Sequence, residues 1–206
     1  MGPNRVAVAE RSLPAYFYRL SARRQRTYLK SDSIDRYPFA PTPNALELTR
    51  NLMRALQAGT LAAVNEASRR LVAELCRAFG VPMLRIEVRS VRPRNARGEL
   101  HGIFYPAQRP PLIMLWMRTA QRHDVVKPRT FLRTLLHEVG HYLDYALLKL
   151  DDSFHTGGFF RRESFLVRAL CPSESTDAAA PAAGERVPEQ RALLAFGPQK
   201  LKDFRV

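Results

Sequence analysis

Leu135-Leu136-His137-Glu138-Val139-Gly140-His141 lies inside a segment whose apolar residues recur at helical spacing. On an α-helix, residues i and i+4 stand about one turn apart on one face, so His137 and His141 aim two imidazoles at the same point. Two such rings can take two corners of a tetrahedral zinc site. Glu138 then projects close to the water-bearing corner, where zinc lowers the pKa of water toward about 7 and a carboxylate can take the proton. Leu135, Leu136, Val139 and Leu143 give the same helix a core face. The plainer alternative makes the histidines core residues and Glu138 a solvated surface acid. Spacing argues against it, because positions three and four from Glu138 are Thr134, Leu135, His141 and Tyr142, none of them a cation.

A third ligand is required, and the chain beyond the helix offers choices. His155 lies fourteen residues past His141, after a reversal expected around Asp151-Asp152-Ser153. Thr156-Gly157-Gly158-Phe159 follows and reads as a flexible link into a further helix over 158–170. Imidazole is a strong zinc ligand, and a histidine beside two glycines has few structural reasons to be there. Glu163 on the later helix is the alternative, since gluzincins draw a glutamate ligand from such a position. Asp144, seven residues from His137, shares its helix face and reads as a carboxylate that orients a ligand imidazole.

Outward from this motif the chain divides into three parts. Residues 1–43 read as a basic arm, with a short helix around Pro14–Lys30 and the extended linker Tyr37-Pro-Phe-Ala-Pro-Thr-Pro43. Residues 44–171 carry the fold. Two helices are expected, one from about 44 to Gly59 with Leu48, Leu52 and Leu56 on one face, the other over Leu61–Phe79. Leu84-Arg-Ile-Glu-Val-Arg89 alternates as a half-buried strand, and Leu100–Tyr105 and Pro111–Met117 follow as strands, the last apolar on both faces and so central. The motif helix should run from Lys127-Pro128 to about Leu150. The class expected is α+β, a small three-stranded mixed sheet packed on the motif helix. Residues 172–206 are Ala/Pro-rich and read as a flexible tail.

Composition narrows the function classes. The 206 residues carry a net charge of +14, and five of the 33 basic residues are lysines. Eight basic residues face three acids in 1–43, twenty face eleven in 44–170, and five face five in 171–206. Such a surface can attract nucleic acid, or it can be arginine spread over a solvated exterior. Cys76 and Cys171 lack any CxxC spacing, which argues against a disulfide scaffold or a cysteine zinc ribbon. No stretch approaches the roughly 18 apolar residues of a membrane span, and no secretory signal is read. The expectation is a cytoplasmic protein with no membrane partner.

His137-Glu-Val-Gly-His141, followed by His155 with Phe159 four positions later, resembles the SprT/Spartan-like and WLM-type zincins. Gly102-Ile-Phe-Tyr105 and Leu112-Ile-Met-Leu115 are similar to the edge-strand region of that group. The metzincin pattern would need Gly at 144 and His or Asp at 147, where this chain has Asp144 and Leu147. The resemblance covers about 84–170 and implies a zincin-like fold, one Zn2+, a protein or peptide substrate and, in that group, an association with DNA. The chain lacks the cysteine-rich ribbon many members carry. Expected function is amide hydrolysis by a zinc-bound water activated by Glu138, with Tyr105, Tyr142, Arg161 and Arg162 as candidate oxyanion donors and the Leu100–Tyr105 edge as the substrate's strand partner. The competing expectation is a non-catalytic zinc-binding regulatory or nucleic-acid-binding module.

Overall fold

Three of the five α-helices among the described residues start where a capping side chain accepts from one of the first free backbone donors. In a computed structural model, which describes residues 13–96 and 98–171, α1 spans Ala22–Ser33 behind the cap Ser21. Helix α2 spans Pro43–Ala58; Thr42 Oγ1 accepts from Ala45 N at 3.0 Å, and Pro43 occupies the first turn, where its missing N–H costs nothing. Helix α3 spans Leu61–Phe79. Strand β1 (Arg85–Val91), the two-residue strands β2 (Arg94–Asn95) and β3 (Gly98–Glu99), β4 (Gly102–Tyr105) and β5 (Leu112–Arg118) follow. Helices α4 (Pro128–Ala146) and α5 (Gly157–Leu170) complete an α+β architecture, with five α-helices among the described residues. The tail from 172 lies outside those residues.

The sheet order is β1-β5-β4. Strand β5 runs parallel to β1 and antiparallel to β4, with Ile113 opposite both Ile86 and Phe104. One face, carrying Ile86, Val88, Ile113, Leu115 and Met117, packs on α3 and α4 in the main core. The other face carries Leu112, Met114 and Trp116 in a smaller cluster with Leu100. Both faces of β5 are therefore covered, which accounts for its unbroken apolar run. Helix α4 lies between the sheet and α5, so most of its circumference is apolar or buried.

Three local features depart from the sequence expectation. The motif helix stops at Ala146 rather than near Leu150: the N–H groups of Leu147 and Leu148 both return to Leu143 O, and Lys149 takes a positive φ of 52°. Residues 156–159 are no loose link. Thr156 caps α5 through Phe159 N at 3.0 Å, and Gly157 begins the helix. The described part of the arm packs down on the rest of the chain. Its Tyr37 is 1 % exposed and donates to Gly140 O at 3.3 Å. Phe39 stacks on Phe79.

Gly158 shows how close that packing is. A β-carbon there would stand 2.3 Å from Ser31 O and 2.6 Å from Asp32 O, both rigid backbone atoms at the end of α1. Gly158→Ala must therefore push α1 and α5 apart. Overpacking of this kind is expected to cost about 3 kcal/mol, a drop of about 6–12 °C in Tm. A thermal melt within 2 °C or so of wild type would show that the two helices do not depend on this contact.

Candidate metal centre

Helix α4 holds His137 and His141 on one face, and the chain between α4 and α5 brings His155 back to them. The three Nε2 atoms form a near-equilateral triangle, with separations of 3.2 Å (His137 to His141), 3.0 Å (His137 to His155) and 3.0 Å (His141 to His155). Nitrogens about 2.0–2.1 Å from one tetrahedral zinc stand about 3.3–3.4 Å apart, so the triangle is close to the size a zinc ion requires. Among the described residues no fourth His, Cys, Asp or Glu joins this group.

The groups behind the rings decide which nitrogen faces the cluster. Glu163 is not among the converging donors; its Oε2 lies 3.0 Å from His137 Nδ1, and its Oε1 accepts from Arg133 Nε at 2.7 Å. A carboxylate only accepts, so His137 carries a proton on Nδ1 and presents Nε2 to the cluster. Ser153 does the same for His141 by one more step. Its hydroxyl donates to Asp144 Oδ2 at 2.7 Å, so its oxygen is left to accept from His141 Nδ1 at 2.7 Å. Asp144 thus reaches an imidazole through Ser153 rather than by direct contact. Its other oxygen accepts from Arg162 Nη2 at 2.9 Å, and neither side chain of that pair has any solvent exposure.

Aromatic rings fix the imidazole planes. Phe159 stacks on His141 with centroids 4.6 Å apart and meets His137 and His155 edge-on. Phe160 stacks on His155. Burial drives the His141 pKa well below its ordinary value and that of His155 down to about 3, which keeps both rings neutral. Burial also opposes a charge on His137, but the Glu163 hydrogen bond and the Glu138 and Glu163 carboxylates outweigh it and hold its pKa up. The same carboxylates favour any positive charge at the cluster, proton or metal.

Glu138 is 6 % exposed, and burial pushes its pKa up to about 7. Its setting depends on Gly102 at the start of β4. A β-carbon at 102 would stand 2.9 Å from Glu138 Oε1 and equally close to side-chain carbons of Thr134 and Leu115. The edge strand therefore approaches the carboxylate only because residue 102 has no side chain. Of the candidate oxyanion donors, Arg162 is spent on its buried partners and Tyr142 donates to Pro82 O at 2.5 Å. Arg161 donates to Asp35 and Asp32, and Tyr105 belongs to the cluster on the other face of the sheet. Ser153, Arg133 and Gly102 were not singled out from the sequence; the one signal was a glycine at the head of a strand pattern.

Compared with protein-family models, curated proteins and solved structures, the chain matches none. His155→Ala is expected to abolish stoichiometric zinc uptake. Glu163→Gln should keep one zinc per chain but weaken its affinity by about 10- to 100-fold, the usual effect of losing a partner behind a ligand imidazole. Competition against a chromophoric chelator separates the two, and zinc retained by His155→Ala would remove His155 from the ligand set.

Proposed function

We propose that the chain is a zinc-dependent peptidase with a zincin-like active site, in which His137, His141 and His155 hold the metal and Glu138 is the general base. One observation carries this reading. Three imidazole nitrogens converge with no fourth protein donor among the described residues, the pattern of a catalytic rather than a structural zinc site. A structural zinc module would close the fourth corner with protein. When bound, zinc would supply Lewis acidity, which acidifies water and polarises a carbonyl.

The chain's own residues do the remainder. Glu138 takes a proton from the attacking water and returns it to the departing amine, a task suited to a buried carboxyl next in sequence to a ligand histidine. Its burial at the foot of β4 limits the access of bulk water to that transfer. Strand β4 is an edge strand, and no other strand among the described residues pairs with its outer side. Trp116 N donates to His101 O, so by antiparallel alternation Ile103 and Tyr105 bond to β5 while the N–H and C=O of Gly102 and Phe104 point outward. An extended peptide added along this edge would pass directly by Glu138.

Glu138→Gln should retain one zinc per chain and lower hydrolysis of an unfolded protein substrate by about 10²- to 10⁴-fold. Chelation of the wild-type protein should abolish turnover, and added zinc should restore it. Turnover that survives either the substitution or full demetallation would rule the mechanism out.

A further inference from the structure

The three imidazoles do not sit on the same kind of support. His137 and His141 stand on the buried helix α4, whereas His155 stands on the connection between α4 and α5. That connection is held from outside by α1. Arg23 grips Asp151 with two hydrogen bonds of 2.9 and 2.6 Å, and Arg24 grips Asp152 with two of 3.0 and 2.5 Å. Phe154 packs into a separate apolar cluster with Phe17 and Tyr28. Past His155, Ser31 Oγ lies 3.2 Å from Thr156 Oγ1, and Gly158 N donates to Asp32 Oδ1 at 2.9 Å. Buried Arg162 links the end of α1 to Asp144, donating to Ser31 O and Ile34 O at 2.7 Å each.

We propose that α1 is the clamp that keeps metal in this site, and that the Arg23–Asp151 and Arg24–Asp152 pairs set how fast the metal leaves. The proposal rests on the reading of His137, His141 and His155 as zinc ligands. Metal held by two ligands on a helix and one on a strapped segment escapes when the strapped ligand swings away first. Such an opening must break the α1 contacts, because Asp151, Asp152 and Phe154 immediately precede His155. The population of the open state, and with it the release rate, follows the free energy of those contacts. The two ion pairs are the adjustable part, being exposed and so sensitive to salt. The Arg162 connection and the Phe17–Tyr28–Phe154 cluster are buried and do not respond to it.

The test is zinc release from the full chain into excess chelator, followed by stopped-flow absorbance. Arg23→Ser with Arg24→Ser alters two exposed side chains outside the ligand set, and unchanged far-ultraviolet circular dichroism checks the fold. Release should be about five- to tenfold faster than wild type at low salt. Wild-type release should accelerate as salt is raised toward about 1 M, where charges are screened over about 3 Å, and the double variant should lose most of that dependence. The exchange Arg23→Asp with Asp151→Arg should release zinc more slowly than Arg23→Asp alone. Equal release rates in wild type and the double variant, with zinc bound one to one in both, would overturn the clamp while leaving the ligand set standing. A wild-type chain that takes up no zinc would remove both.

Discussion

Arg162 and Asp144 form an ion pair with no solvent exposure on either side, and the geometry of the site follows from how that pair is satisfied. Two charges taken out of water are costly, and their attraction offsets the cost only if the remaining donors and acceptors also find partners. Here the partners come from three separate elements. Asp144 stands on α4, Arg162 on α5, and the guanidinium's other hydrogen bonds end on Ser31 and Ile34 at the end of α1. Within this pair, Arg162 Nε is the one polar atom without a hydrogen-bond partner among the described residues. Removing one member would strand a buried charge at a cost of about 3–5 kcal/mol, so all three elements are held in register. The free oxygen of Asp144 then passes this order on through Ser153 to His141.

The histidine cluster and Glu138 share one electrostatic setting. Burial disfavours charge on each of them, which lowers the His141 and His155 pKa values and raises that of Glu138. A metal site needs neutral imidazoles, since a protonated ring has no lone pair to give. Burial therefore prepares the two rings for ligation and brings the carboxyl toward the range where it can exchange protons near neutrality. The dry interior costs something at His137, which is compensated by Glu163 and, behind it, Arg133. The order of groups outward from the cluster is imidazole, carboxylate, guanidinium along both routes, with Ser153 inserted in one of them.

The sequence showed the repetitive parts of this arrangement and missed the parts created by contact. A 3.6-residue period exposed α2, α3 and α4, and the two-sided apolar run of β5 marked it as the central strand. His137, Glu138 and His141 were legible because their relation is local, fixed by the turn of one helix. His155 could be nominated but not placed, because the path between Ala146 and Gly157 is set by docking on α1. Gly157 and Gly158 looked like punctuation for a mobile link. In the fold Gly158 is needed because two backbone carbonyls of α1 occupy the space of its side chain. Ser153 and Arg162 gave no periodic signal at all, since their partners lie nine and eighteen residues away for Asp144 and far more for Ser31.

The arginine bias of the chain has a structural side that net charge alone conceals. Five of the 33 basic residues are lysines. Several arginines are used for the planar fork rather than the charge. Arg23 meets Asp151 with two nitrogens on two oxygens, Arg50 reaches Glu47 with two nitrogens, and Arg162 divides its donors among two backbone carbonyls, a hydroxyl and a carboxylate. A lysine ammonium is a compact point donor on a flexible stem and cannot span those positions at once. At residue 162 the requirement is strictest, because Ser31 and Asp144 are buried and Ile34 is partly so. A lysine there would keep the charge beside Asp144 and leave carbonyls at the end of α1 unsatisfied, loosening the element on which the His155 connection is docked. The composition that suggests an attraction for polyanions at long range is, at this position, a demand for geometry at short range.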